Sequence, residues 1–157
     1  MRSFEVRPGD AIGPIQIGMT RPEAQDAART AGLAVAPFKR WEDSPDVLVI
    51  AEQLQAYFDD DDRVEEVETR LPSQDGDLSI LLGTLDLSGP AEEVAAGLDR
   101  LGDPDRSDRE YPATRCYPAL GICVWKDSKP DEWRDGPFES VLVRRPLPAP
   151  MSADQPA

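Results

Sequence analysis

Carboxylates are the main chemical groups of this chain, because the other usual catalytic side chains are missing or isolated. The 157 residues include 31 Asp and Glu but no His. A Ser-His-Asp triad, a Cys-His pair and a His-ligated metal site are therefore impossible. Two acids could perform general acid–base catalysis, but so many candidates give no reason to choose a pair. We predict no catalytic residue and no enzymatic activity.

Cofactor motifs are also missing. The chain contains no G-x-x-x-x-G-K-[ST], no G-x-G-x-x-G and no G-x-S-x-G sequence. Gly9, Gly13 and Gly18 are too loosely spaced for a phosphate-binding loop and fit turns better. We therefore expect no cofactor.

Four consecutive aspartates, Asp59, Asp60, Asp61 and Asp62, form the densest group of possible metal ligands. Carboxylate oxygens suit Ca²⁺ and Mg²⁺, but the run lacks the D-x-[DN]-x-[DN]-G spacing that wraps a cation. Adjacent side chains in a tight turn diverge from one another. We predict a solvated hairpin tip without a metal, which could also contact a basic partner protein.

The three tryptophans differ in their surroundings. Trp125 ends an apolar run and is predicted to belong to the core. Trp41 and Trp133 are flanked by charged residues, a setting typical of interface anchors with a polar rim. We predict that Trp41 and Trp133 bind the partner; the alternative is that each folds back over its own unit.

Cys116 and Cys123 could face each other across a hairpin centred on Ala119 and Leu120. Two cysteines do not make a disulfide framework, and the first residues lack the apolar stretch of a secretory signal. The sequence therefore predicts a cytoplasmic protein in which this pair is reduced and packed.

The net charge of −14 restricts the class of partner. It repels phosphate backbones and anionic lipid headgroups, so we expect no nucleic acid and no membrane as partner. No apolar stretch approaches the roughly 20 residues that span a bilayer. The charge favours fast capture of a basic protein; the alternative is that acidity only keeps the chain soluble.

Two blocks of sequence recur in the same order. Residues 12–32 match residues 82–102 at a shift of 70, and residues 63–72 match residues 137–146 at a shift of 74. Such self-similarity is typical of an internal duplication. We predict a single duplicated domain over residues 1–146, with repeat one at about 12–72 and repeat two at about 82–146.

Each predicted copy combines one helix with antiparallel strands. Thr20 and Glu23 form a capping box before an alanine-striped helix over 21–31, and a second helix begins near Pro90. The predicted strands cover 47–50, 54–58, 64–71, 114–117, 121–126 and 138–144. The pattern predicts an α+β fold of two tandem αβββ units that share one core, with the helices packed on one face of a sheet. The Pro- and Ala-rich tail, 147–157, is predicted to be disordered.

The stretch Ile12–Glu23, IGPIQIGMTRPE, resembles the G-x-I-x-x-G-M-T-x-x-E opening of two groups of proteins. One is the small outer-membrane-assembly lipoproteins, and the other is the repeat unit of the β-lactamase inhibitory proteins. The resemblance implies helices packed on a β-hairpin or meander. For the inhibitory proteins it also implies two units in tandem that bind an enzyme with the sheet face. Similar acidic proteins are taken to be immunity proteins of bacterial toxin systems.

Three hypotheses for the function follow. The first is an immunity protein that blocks the active site of a cognate toxin, which is expected to be basic. The second is a binding or assembly module with the same fold and no toxin partner. The third is a cryptic enzyme that uses carboxylates. Rescue of cells from a co-expressed toxin would separate the first from the second.

Overall fold

The computed structural model describes residues 2–39, 42–43, 47–71, 78–133 and 136–147. The protein is mostly β, with 39 % of the residues in strands and 18 % in helices. The predicted α+β fold, with helices packed on one face of a sheet, is therefore wrong. The sequence-based prediction missed the strands Arg2–Arg7, Val35–Phe38 and Leu78–Leu82. It also gave no pairing for the two-residue strands, which are too short to form a periodic pattern.

The elements follow one another along the chain as β1 (Arg2–Arg7), β2 (Ala11–Ile12), β3 (Ile15–Gln16), α1 (Arg21–Thr30), β4 (Val35–Phe38), β5 (Val47–Ile50), β6 (Leu54–Phe58), β7 (Val64–Arg70), β8 (Leu78–Leu82), β9 (Leu85–Asp86), α2 (Ala91–Leu101), β10 (Thr114–Tyr117), β11 (Ile122–Trp125), a 3₁₀ turn (Pro130–Glu132) and β12 (Ser140–Arg144).

The strands form two sheets. The smaller sheet has the order β3-β2-β1-β8-β9, and the larger has the order β10-β11-β12-β7-β6-β5-β4. Strands β1 and β8 are parallel, whereas all other pairs are antiparallel. The pairing of β7 with β12 joins the strands of the two halves of the chain into one sheet.

The two helices are short, and each buries one side. Helix α1 begins with the expected capping box, in which Thr20 Oγ1 accepts from the Glu23 backbone N–H and the Glu23 carboxylate accepts from the Thr20 backbone N–H. Only Ala24 and Ala28 of α1 are buried. Helix α2 passes so close to β9 that a Cβ at Gly97 would lie 2.7 Å from Leu85. These small residues let the helices approach the strands but bury little apolar area.

One hydrophobic cluster contains side chains from both halves of the chain. Ile12, Leu54 and Val67 from the first half pack in it with Leu98 and Val141 from the second. The duplication itself stays a prediction. Two hairpins agree with it, because their paired residues recur at a shift of 70 positions. In the first hairpin Ala11 pairs with Gln16 and Ile12 with Ile15. In the second, Leu81 pairs with Asp86 and Leu82 with Leu85.

Most of the predicted strands are confirmed, but the prediction for the cysteines is wrong. Strands β5, β6 and β10 have the expected bounds, and β7, β11 and β12 lie within a residue or two of theirs. Cys116 and Cys123 are joined in a disulfide rather than reduced. The register of β10 against β11 places the two residues directly opposite each other, which brings their sulfur atoms within bonding reach.

Candidate protein-binding face

A row of side chains crosses all seven strands of the larger sheet. Directly opposite residues in antiparallel strands project to the same face. The row consists of Ala36, Val49, Gln55, Glu68, Leu142, Cys123 and Cys116. None of them is buried, whereas neighbours along the strands, such as Val67, Val124 and Val141, lie in the core. We call the accessible side of the sheet, which this row crosses, the open face; seven strands span roughly 30 Å.

A second row on the open face contains an exposed tryptophan. Arg70, Ser140, Trp125 and Thr114 lie opposite one another on β7, β12, β11 and β10. Trp125 is 39 % exposed, so the prediction that it belongs to the core is wrong. Strand β11 alternates, with Ile122 and Val124 directed into the core. This alternation cannot be recognised in the sequence, because the outward residues Cys123 and Trp125 are also apolar and form one continuous apolar run with Ile122 and Val124.

A concavity of about 660 Å³ lies on the open face beside Trp125. We call it the Trp125 concavity. Its lining includes Glu68, Arg70, Trp125, Glu139, Ser140 and Leu142. It combines carboxylates and one guanidinium with the surfaces of an indole and a leucine, so it offers both charged and apolar contacts.

A second concavity, of about 500 Å³, also includes Trp125 in its lining. Charged side chains of both signs line it, among them Arg109, Lys126, Lys129, Asp127 and Glu132. Trp125 belongs to the lining of both concavities. An exposed aromatic side chain beside two hollows can be enclosed by a docking protein, which is the usual setting of an energetically dominant contact.

The carboxylate of Glu68 is held in place within the sheet. The Tyr57 hydroxyl lies 2.9 Å from Glu68 Oε1 and 2.7 Å from Gln55 Oε1, so it can donate to either acceptor. Arg70 Nε lies 4.0 Å from Glu68 Oε1, at the long end of an ion pair. Glu68 is therefore positioned by hydrogen bonding, while Arg70 contributes little constraint.

Glu139 is the perturbed carboxylate of the Trp125 concavity. Partial desolvation raises the pKa of Glu139 above its ordinary value, and the nearby Asp127 carboxylate raises it further, against an opposing effect of Lys126. The Lys126 ammonium donates to the Pro137 carbonyl oxygen at 2.9 Å. Within the described part of the chain, no cation forms an ion pair with Glu139. Its negative charge is thus only partly compensated.

The four aspartates form a hairpin tip between β6 and β7, as predicted, but they are not equivalent. Asp59 Oδ1 accepts from the backbone N–H groups of Asp61 and Arg63 and so shapes the turn. Asp62 pairs with Arg21 at 2.9 Å, and the Arg21 guanidinium stacks on Phe58 at 3.9 Å. The tip is therefore partly tied to α1. A role for Asp59, Asp60, Asp61 and Asp62 in partner binding stays a prediction.

Of the two tryptophans predicted as anchors, Trp133 lies within the fold. It is 6 % exposed, packs edge-on against Phe138 at 5.1 Å, and donates its indole N–H to the Ser128 carbonyl oxygen at 2.8 Å. This is the alternative in which the side chain covers its own unit, so we do not include Trp133 in the candidate interface.

Trp41 lies outside the described residues, as do residues 148–157 of the predicted disordered tail.

Two further features bear on the class of site. In the described ranges, no group of three or more Cys, Asp or Glu side chains is arranged to hold a metal ion. No helix within the described residues is both long and apolar enough to cross a bilayer. The absence of a metal site and of a catalytic site stays a prediction, which only binding and activity measurements can test.

Comparisons with known proteins identify no relative: no family model, no curated protein and no solved structure matches this chain. The resemblance of Ile12–Glu23 to the inhibitory proteins and the assembly lipoproteins therefore stays a prediction.

Proposed function

We propose that this chain is a non-catalytic, protein-binding inhibitor of the immunity type, and that it contacts its partner with the open face. The observation that carries the proposal is the open face itself, an accessible surface that crosses seven strands and exposes Trp125 beside two concavities. A partner that covered this surface would bury an aromatic side chain together with polar groups at its rim, as specific interfaces do.

The charge of the chain supports a basic partner. A net charge of −14 attracts a positively charged protein over distances of about one Debye length, which is roughly 10 Å at 0.1 M salt. Such attraction accelerates encounter, whereas buried contacts hold the complex together. A basic bacterial toxin whose active site is blocked by the open face is the partner that this proposal expects.

The first experiment tests Trp125 against a matched residue. A partner identified by co-purification from the native cell should dissociate about 30-fold faster from Trp125→Ala, because a central aromatic anchor is worth about 2 kcal/mol. The control is Leu101→Ala, which removes an exposed apolar side chain (54 % exposed) at the end of α2. Surface plasmon resonance on both folded variants measures the rates. Equal dissociation of the two variants would contradict the proposal.

A second experiment tests inhibition. Co-expression of the chain should rescue cells from the identified partner if that partner is a toxin, and Trp125→Ala should rescue them less well than Leu101→Ala. Binding without any effect on the partner's activity would instead make the chain a binding or assembly module.

A further inference from the structure

The Trp125 concavity has the composition of a site for a positively charged side chain. Glu68 and Glu139 contribute two carboxylates, and Trp125 contributes an exposed aromatic surface, in a hollow of about 660 Å³. The electron-rich face of an indole attracts cations, most strongly where water is excluded. The carboxylates and the aromatic surface therefore both favour a cationic ligand, the first by ion pairing and the second by attraction to the electron-rich ring.

The charge inside the concavity is not balanced. Among the described residues that line the concavity, the two carboxylates face one cation, Arg70, whose side chain is 68 % exposed. It reaches only Glu68, at 4.0 Å, and forms no ion pair with Glu139. An additional cation beside Glu139 would gain an ion pair without breaking one within the described residues. Arg70 itself shows that a guanidinium can reach this surface, although it is held only weakly there.

The lining of the concavity favours an organic cation over a metal ion. Ca²⁺ and Mg²⁺ require about six or more oxygen ligands, whereas Trp125, Leu142 and the Cys123 side chain provide apolar surface. A guanidinium can stack its flat face on an indole and pair with a carboxylate along its edge, and its methylene stem packs on apolar groups. An ammonium matches only the charge, since it is a compact and strongly hydrated ion.

We propose that the Trp125 concavity receives an arginine side chain of the partner protein, with its guanidinium stacked on Trp125 and paired with Glu139. This inference rests on the proposed function, because it assigns the chemistry by which the open face recognises a basic partner. Arg70, which lies at the rim of the site beside Glu68, then competes with the incoming guanidinium through its like charge and its contact with Glu68.

The test uses the full chain and a small probe, so it does not depend on an identified partner. Acetyl-Gly-Arg-Gly-amide is titrated while the indole N–H resonance of Trp125 is followed by NMR. The matched peptide carries citrulline, which has nearly the same shape as arginine but no charge. A lysine peptide tests the preference for guanidinium over ammonium. We expect saturable binding of the arginine peptide, and binding about fivefold weaker for each of the other two.

Three variants separate this site from general attraction by an acidic protein. Glu139→Gln should weaken binding of the arginine peptide about fivefold, whereas Glu92→Gln, which removes the same charge from the exposed side of α2, should leave it unchanged. Arg70→Gln should strengthen binding, because it removes the competing guanidinium. If these residues only stabilised the fold, no variant would bind the arginine peptide more tightly than the native chain does.

The outcomes distinguish this inference from the proposed function. Equal binding of the arginine and citrulline peptides, equal effects of Glu139→Gln and Glu92→Gln, or no saturable shift at Trp125 would overturn the arginine site. If any of these occurred while the partner protein still dissociated faster from Trp125→Ala, the proposed arginine site would be wrong and the proposed function would stand. If the peptides behaved as expected but Trp125→Ala retained the partner, the concavity would bind guanidinium and the proposed function would fail.

Discussion

At the scale of single residues, two glutamates of this acidic chain show opposite effects of their surroundings. The backbone N–H of Thr20 donates to the Glu23 carboxylate and lowers the pKa of Glu23. Desolvation and the proximity of Asp127 raise the pKa of Glu139. The first effect is local and could be predicted from the T-x-x-E spacing. The second depends on how β11 and β12 pair, so no local pattern indicates it.

The raised pKa of Glu139 predicts a pH-dependent contribution to stability. The folded state holds this proton more tightly than the unfolded state does, so the free energy of unfolding decreases as the pH rises through the folded-state pKa. Glu139→Gln removes the ionisation and should be more stable than the native chain near pH 8. The difference should vanish near pH 4, around the ordinary glutamate pKa of about 4.3.

Urea denaturation of the two proteins at both pH values measures this difference, with Glu92→Gln as the control for the change in net charge. A Glu139→Gln variant that is less stable than the native chain near pH 8 would show that the carboxylate makes a favourable contact in the folded protein.

At the scale of elements, turns from the two sheets touch each other. Gly121, in the β10–β11 hairpin, has φ = +63°, and a Cβ there would lie 2.6 Å from the Cα of Gly9, in the β1–β2 turn. The same Cβ would also collide with the Arg144 carbonyl oxygen. Gly121 is therefore required both for its left-handed backbone conformation and for the close approach of the chain segments.

Two alanine substitutions separate these requirements. Gly83→Ala has a similar φ of +61° but no atom within 4 Å of the added Cβ, so it should cost about 1 kcal/mol of stability from backbone strain alone. Gly121→Ala adds steric collisions with two backbone segments and should cost about 3 kcal/mol or more. Chemical denaturation gives both values. Similar losses for the two variants would mean that the turns separate easily and that their contact contributes little.

At the scale of the whole molecule, strand pairing holds the two halves of the chain together. Strand β7 pairs with β12 over five residues, and β1 pairs in parallel with β8. Glu68 lies opposite Leu142, and these two residues are equivalent under the 74-residue shift between the copies. The predicted repeats therefore meet at the centre of the larger sheet, which makes the open face a joint surface of both halves.

This arrangement predicts that the first half does not fold alone. Residues 1–76 would lack β8 and β12, so β1 and β7 would each expose an unpaired edge, and the core would lose the side chains of the second half. We expect the isolated fragment to be unfolded or aggregated, with no cooperative thermal transition by circular dichroism. Mixing it with residues 77–157 should restore structure. A cooperative melt of 1–76 by itself would show that the halves are independent domains.

The sequence by itself determined the local elements. Strands β5, β6 and β10 and the start of α1 were predicted with the observed bounds, because apolar runs between turn residues and a T-x-x-E capping box act over a few neighbouring positions. The acidic hairpin tip at Asp59–Asp62 was predictable for the same reason. Each of these features depends on interactions within one turn or one hairpin.

Only the tertiary structure decided which side chains the protein presents to a partner. Trp133, surrounded by charges in the sequence, is buried against Phe138, whereas Trp125, within an apolar run, protrudes from the open face. Trp125 protrudes because the face on which a strand residue lies is set by its pairing register, whereas Trp133 follows the 3₁₀ turn, which places it against Phe138. The register of β7 against β12, which builds the centre of the open face, joins residues 70 or more positions apart, beyond the reach of any local pattern.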